Sequence, residues 1–179
     1  DVGTHAVVLT ATDASGAADT QSFNITVSNV NDVPTITSTQ LTSVTEGQAY
    51  SYTFAASDVD VGDSVTLAAP TKPSWLSFDP ATGVLSGTAS NDEVGDHSVV
   101  LTATDTTGAV HTQSFTITVA NVNTAPEVTS IAITNATEDT AYSYTFAASD
   151  VDSGDTPTLA ASTKPSWLSF DASTGVLSG

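Results

Sequence analysis

The chain has 179 residues, of which 20 are acidic and two are basic, both lysine, giving a formal charge of −18 at neutral pH. Nucleic acid and anionic membrane surfaces both need a basic footprint, so neither suits it as a partner. Cysteine is absent, which removes thiolate metal sites, disulfides and redox chemistry, and no run approaches the roughly 20 apolar residues of a membrane span.

Taken in chain order, residues 1–32 carry two strand patterns and then the segment Asn29-Val30-Asn31-Asp32-Val33-Pro34. Short strands are predicted at Thr35–Ser38 and Leu41–Val44. Tyr50, Tyr52, Phe54 and Ala56 then alternate with Ser51, Thr53, Ala55 and Ser57, the period-two pattern of a half-buried strand. Further strands are predicted at Ser64–Ala68, Leu76–Phe78, Val84–Ser86, 99–104 and 115–119, and the abundance of Thr and Val suits strands. Asp60-Val61-Gly62-Asp63, Asp79-Pro80-Ala81-Thr82-Gly83 and Thr106-Thr107-Gly108 supply turn residues between them. No stretch has a helical period. The expected fold is all-β, a β-sandwich of immunoglobulin-like layout, with Trp75 as a plug between the sheets.

The pattern then repeats. Asp58-Val59-Asp60 returns as Asp150-Val151-Asp152, and Pro73-Ser74-Trp75-Leu76-Ser77-Phe78-Asp79 returns as Pro165-Ser166-Trp167-Leu168-Ser169-Phe170-Asp171. Residues 1–87 align with 93–179 without a gap, and more than two thirds of the pairs are identical. A fixed period of this length means one domain copied in tandem. The expected division is 1–32, the C-terminal part of one repeat; 33–124, a complete repeat; and 125–179, the N-terminal part of the next. The first residue falls in mid-repeat, so the natural N-terminus is expected elsewhere. The two partial repeats are complementary: 125–179 followed by 1–32 lacks only the equivalent of Thr88–Asp92. Either the chain is a window on a longer array, or partial repeats of neighbouring molecules complete each other head to tail by strand complementation.

The acids fall in turns and junctions. If strands run alternately up and down, the Asp58–Asp63 and Asp105 loops share the end where the preceding repeat enters. The turns holding Glu46 and Asp92-Glu93 share the other end. Stacking then brings Glu46, Asp92, Glu93, Asn121 and Asn123 towards Asp150 and Asp152 of the next repeat. At the first junction Asn29, Asn31 and Asp32 meet Asp58, Asp60 and Asp105, with Asp1 aligned to Glu93. Ca²⁺ takes six to eight oxygen ligands in flexible geometry, and such a seam can supply them. Solvated loop acids on a generally acidic surface are the plain alternative.

These segments resemble the cadherin-like, dystroglycan-type domains, immunoglobulin-like tandem repeats of large bacterial surface adhesins. The resemblance rests on Pro73–Asp79, Gly83-Val84-Leu85-Ser86-Gly87 and Thr102-Ala103-Thr104-Asp105. It rests also on the linker-like Asn29–Pro34 and the paired acids Asp58-Val59-Asp60. It implies Ca²⁺ between successive domains, held by Glu46 in the first turn, Asp92 and Glu93 near the acidic turn, Asn121 and Asn123 in the linker, and Asp150 and Asp152 of the next domain. Asp105 matches the acid at a domain's near end. The acidic turn lacks the Asp-Arg-Glu pattern of cadherins, and Thr124 stands where the first linker has Asp32.

The resemblance implies an extender or stalk region of a secreted protein at the cell surface, stiffened by Ca²⁺ and partnered by neighbouring repeats. The alternative is a polysaccharide-binding module, which requires exposed aromatics. Catalysis is not expected: there is no Gly-x-Ser-x-Gly elbow. Of three histidines, His5 and His97 are repeat equivalents, while His111 is replaced by Asp19 in the other copy.

Overall fold

The computed structural model describes residues 2–179, so Asp1 lies outside the described residues. Strands β1 (Gly3–Thr12) and β2 (Ala18–Val27) form an antiparallel hairpin in register from Gly3 opposite Val27 to Thr12 opposite Ala18. Asp13 closes its turn. One carboxylate oxygen accepts the Ser15 and Ala17 N–H groups, each at 2.9 Å, and Gly16 supplies the positive φ of 87°.

The next unit contains β3 (Thr35–Ile36), β4 (Ser43–Thr45), β5 (Ala49–Thr53), β6 (Ala56–Ser57), β7 (Thr66–Thr71), β8 (Leu76–Asp79) and β9 (Val84–Thr88). A 3₁₀ turn, Asn91–Glu93, leads into β10 (Gly95–Thr104) and β11 (Val110–Ala120). One sheet has the order β4-β11-β10-β7 and faces the sheet β5-β9-β8, while β3 pairs with β6. Their inward residues make the core: Tyr50, Tyr52, Phe54, Leu76, Leu85, Val99, Leu101, Ala103 and Ile117. The expected sandwich is therefore present, and the alternation of Tyr50, Tyr52 and Phe54 marks its buried side.

A simple up-and-down order would make every sheet neighbour antiparallel. Instead β4 lies parallel to β11. The segment from Thr35 to Thr45 runs from β3, paired with β6, to β4, which covers one edge of the β4-β11-β10-β7 sheet. Both of its strands are shorter than the sequence pattern suggests. Pro70 sits in β7, an edge strand whose pairing with β10 shifts between Val100 and Thr102, where a missing N–H is tolerated.

Trp75 packs edge-on against Tyr50 and His97, with ring centroids 6.0 Å and 5.9 Å apart. It is a partly buried core plug, as expected. His97 also bonds the Glu93 carbonyl oxygen at 2.6 Å, and His111 bonds that of Pro34 at 2.8 Å. Both serve the fold.

Residues 125–179 contain β12 (Glu127–Val128), β13 (Ser143–Thr145), β14 (Ala148–Ser149), β15 (Ser169–Asp171) and β16 (Val176–Ser178). They pair as β12-β14 and β13-β16-β15, matching β3-β6 and β5-β9-β8. Identical side chains meet different surroundings in the two copies. Leu101 and Ile117 are fully buried, whereas Leu9 and Ile25, 92 residues earlier, are 53% and 49% exposed. Trp167, the counterpart of Trp75, is 54% exposed. What differs is the facing sheet, which covers β10–β11 but not β1–β2.

Candidate cation site at the junctions between units

At the first junction, the loop after β6 folds its acids inward. The Asp60 N–H donates to Asp58 Oδ1 at 2.9 Å, the Asp63 N–H donates to the Asp60 carbonyl at 3.1 Å, and Gly62 takes a φ of 92°. The carboxylates of Asp58, Asp60 and Asp63 thereby lie within 4.8 Å of one another. The β10–β11 turn joins this loop: Thr106 donates from both its backbone N–H and its hydroxyl to Asp63.

Asp105 organises the same turn and is only 6% exposed. It accepts the N–H groups of Thr107 at 2.9 Å and Ala109 at 2.8 Å. The Asn31 amide adds a bond of 2.8 Å from the linker. That amide above all, with the backbone bonds and against the effect of burial, holds the Asp105 carboxyl down to about 2. The linker is fixed a second time where the Asp32 N–H donates to Asp60 Oδ2 at 2.8 Å. The structure thus brings Asn31, Asp58, Asp60 and Asp105 together. Asp32 contributes its backbone, and its side chain is exposed. Asn29 is exposed and lies apart from these bonds.

At the second junction the Thr124 N–H donates to Asp152 Oδ2 at 2.7 Å, in the place of Asp32 and Asp60. The Asp152 N–H donates to Asp150 Oδ1 at 2.9 Å, and Asp150, Asp152 and Asp155 form a second group within 4.8 Å. Within the preceding unit Glu46 accepts the Val122 N–H of the linker at 3.2 Å. The Asn91 amide reaches across and donates to the Val151 carbonyl.

Other expected residues stand elsewhere. Glu93 turns back on its own 3₁₀ turn, accepting the Ser90 N–H at 2.8 Å and the Ser90 hydroxyl at 2.6 Å. Those bonds, the hydroxyl foremost, lower its carboxyl below the usual range. Asp92 and Asn121 are exposed. Asn123 is exposed as well and donates to the Thr124 carbonyl at 3.4 Å. Residues absent from the sequence-based set are Asn91, Asp63 and Asp155. The last two are repeat equivalents, a signal that could have found them.

Several oxygens in this region are enclosed without any hydrogen-bond donor from the chain: Glu46 Oε2, Asn91 Oδ1 and Asp152 Oδ1 at the second junction, and Asp58 Oδ2 at the first. Burying a carboxylate oxygen without a partner is strongly unfavourable. The chain's two ammonium groups do not relieve it, since Lys72 and Lys164 donate to the carbonyls of Leu76 and Leu168. Among the described residues the Trp75 Nε1 in the core is the other enclosed polar atom without a partner, whereas those at the junctions are all oxygens, a donor set that fits a hard cation such as Ca²⁺.

No curated protein sequence matches the chain. Among solved structures it resembles PcdhgB3 EC1-4 at a TM-score of 0.59 and 20% identity, covering 98% of this chain and 47% of that one. For the protocadherin GammaB4 extracellular domain the TM-score is 0.55 with 21% identity, over 98% and 34% of the two chains. For the protocadherin gammaB7 EC3-6 cis-dimer it is 0.51 with 22% identity, over 98% and 51%. The chain spans about half the length of these structures or less. The family model described as Putative Ig domain matches residues 33–120 and again 125–179. The chain belongs to that family, and its fold is an immunoglobulin-like, cadherin-like β-sandwich.

Proposed function

We propose that this chain is a non-catalytic stalk segment of a large extracellular adhesin or surface filament, built of repeats 33–124 and 125–179 in series. Its junctions would be stiffened by Ca²⁺. The observation that carries the proposal is the set of enclosed, unpartnered oxygens of Glu46, Asn91 and Asp152, which come from the two sides of one junction. The carboxylates of Asp150, Asp152 and Asp155, within 4.8 Å of one another, repel in the absence of a cation, which would loosen the joint. A bound Ca²⁺ would neutralise them and tie Glu46 and Asn91 of one unit to Asp150 and Asp152 of the next, with the linker clasped between. At the first junction the corresponding holders would be Asp58, Asp60 and Asp105.

The partners in this proposal are neighbouring repeats. The bare apolar faces of β1–β2 and of residues 125–179 are of the kind that the complementary part of another repeat covers, either in series or from a second molecule. Bacterial origin and a place at the cell surface rest on the resemblance to bacterial adhesin repeats and on the likeness to protocadherin ectodomains. Among the described residues no helix is long and apolar enough to cross a membrane. The glycan-binding reading has no aromatic platform in the complete unit, where Tyr50 and Tyr52 are buried and Trp75 is packed between rings.

The test compares thermal melting and small-angle scattering of the chain in calcium and in chelator. Calcium should raise the melting temperature and narrow the distribution of interdomain angles. Identical profiles in the two conditions would overturn the proposal.

A further inference from the structure

We propose that the β1–β2 hairpin of one molecule seats on residues 125–179 of a second copy, so that chains assemble head to tail through composite sandwiches. This rests on the reading of neighbouring repeats as the partners and is independent of the cation. It commits both bare faces to one occupant, and the complete unit supplies the pattern for the contact.

The acceptor half is already shaped. The Tyr144 hydroxyl lies 2.7 Å from Ser130 Oγ, and the Tyr142 hydroxyl donates to the Ile133 carbonyl at 2.7 Å. Tyr52 and Tyr50 make the same bonds in the complete unit, with Ser38 and Leu41. Tyr142 meets Trp167 edge-on at 6.0 Å, as Tyr50 meets Trp75. Such preorganisation lowers the cost of binding. What the half lacks is a hairpin. In the complete unit β10 and β11 lie between β4 and β7. The counterparts of those outer strands, 135–137 and 158–163, form no strand, although 158–163 repeats five of the six residues of β7. A strand needs a neighbour to take its backbone bonds, and theirs is absent. A cleft of about 660 Å³ opens there, between Ala136, Thr137, Trp167 and Gly179.

The donor matches that space. Leu9, Phe23, Ile25 and Val27 repeat Leu101, Phe115, Ile117 and Val119. Val119 is 1% exposed and Val27 41%. A two-stranded hairpin with a bare apolar face is marginal by itself. On the acceptor, Val27 enters the cleft beside Ala136, as Val119 lies beside Val44. Gln21 accepts from the Tyr144 hydroxyl, as Gln113 accepts from Tyr52 at 2.7 Å. His5 meets Trp167, as His97 meets Trp75. β16 and β1 correspond to β9 and β10, so the division between the halves falls in a connection and cuts no strand. Among the described residues no pairing joins β1–β2 to β13-β16-β15 within one molecule, so the occupant is a second copy. Donor and acceptor are different surfaces and every molecule carries both, so the assembly is an open chain when the joints are straight.

The full chain is followed by sedimentation velocity over a concentration series, in calcium and in chelator, with about 0.15 M salt to screen the acidic molecules from one another. The mean mass should rise with concentration in both. Leu9→Asp spoils the donor and Trp167→Asp the acceptor, each at an exposed position. Each variant alone should stay monomeric. An equal mixture should form a 1:1 dimer that grows no further, because one variant keeps the acceptor and the other the donor. That dimer also shows that the retained halves are folded. A wild-type chain that stays monomeric, variants that assemble as the wild type does, or a mixture that stays monomeric would overturn the proposal. A monomeric wild type whose melting still responds to calcium removes this proposal alone. Assembly without any calcium response removes the calcium-stiffened stalk alone.

Discussion

The Asn31 amide donates to the Asp105 carboxylate at 2.8 Å, joining the linker to a turn 74 residues further along the chain. One buried acid thereby holds its own turn and the entry of the preceding segment. Its folded carboxyl, at about 2, lies below the ordinary 3.8. The stability this contributes is complete above the ordinary value and is lost as pH falls through the folded one. In chelator, the contribution of Asp105 to stability should therefore be lost between about pH 3.8 and 2. Asn31→Ala should raise the Asp105 carboxyl and move acid unfolding to higher pH. Carboxyl NMR titration of both proteins checks this, and an unshifted Asp105 in the variant would count against it.

Gly83 separates two effects of adding a methyl group. Its φ is 71°, and a Cβ there would stand 2.2 Å from the Phe54 carbonyl oxygen. Gly108 has a φ of 95° with nothing within 4 Å. Gly108→Ala should destabilise by about 1 kcal/mol from backbone strain alone. Gly83→Ala should exceed about 2 kcal/mol, because backbone must also move. Urea denaturation of both variants measures the difference, and equal losses would remove the steric argument.

The Tyr52 hydroxyl donates to Gln113 Oε1 at 2.7 Å and lies 2.7 Å from Ser38 Oγ, which itself accepts the Ala55 N–H at 2.9 Å. This network ties strands of both sheets to the crossing segment. Tyr52→Phe should lose about 1–2 kcal/mol, since it strands two polar partners. A change within a few tenths of a kcal/mol in equilibrium unfolding would show that water replaces the hydroxyl freely.

Tyr50 gives an alkaline counterpart to Asp105. Burial foremost, with the neighbouring Tyr52, pushes its hydroxyl up from 10 to about 12. The neutral form is favoured in the folded state, so this contribution is full below pH 10 and is lost as pH rises to about 12. Ultraviolet titration of phenolate should show a late step that disappears in Tyr50→Phe. A step missing from both proteins' difference spectrum would refute the shift.

The sandwich was legible because Tyr50, Tyr52 and Phe54 alternate with polar residues, and period-two burial is a local property of a strand. The parallel contact of β4 with β11 was not legible: it depends on where the chain crosses between sheets, which no short window encodes. Among the site residues, the convergence of Asp58 with Asp60, and of Asp105 with the linker, followed from strand directions alone. Glu93 illustrates a missed local signal. Ser90 three residues before it spells a capping box, so its carboxylate had a nearer partner than the junction. Asn91 lacked any such signature, and only the approach of Val151 reveals it.

Gly47 and Asp139 occupy equivalent turns, and both adopt positive φ, 71° and 60°. Asp is one of the few residues besides Gly that tolerates this region, so the same turn forms with either residue.

The β1–β2 and β10–β11 hairpins share one register, residue for residue. Either could therefore dock on the sheet that belongs to the other. During refolding of a longer array, correct and exchanged pairings would compete on nearly equal terms, as expected for near-identical neighbours. Copying a module faithfully thus sets the physics of misassembly, and sequence divergence between adjacent copies becomes a form of error correction.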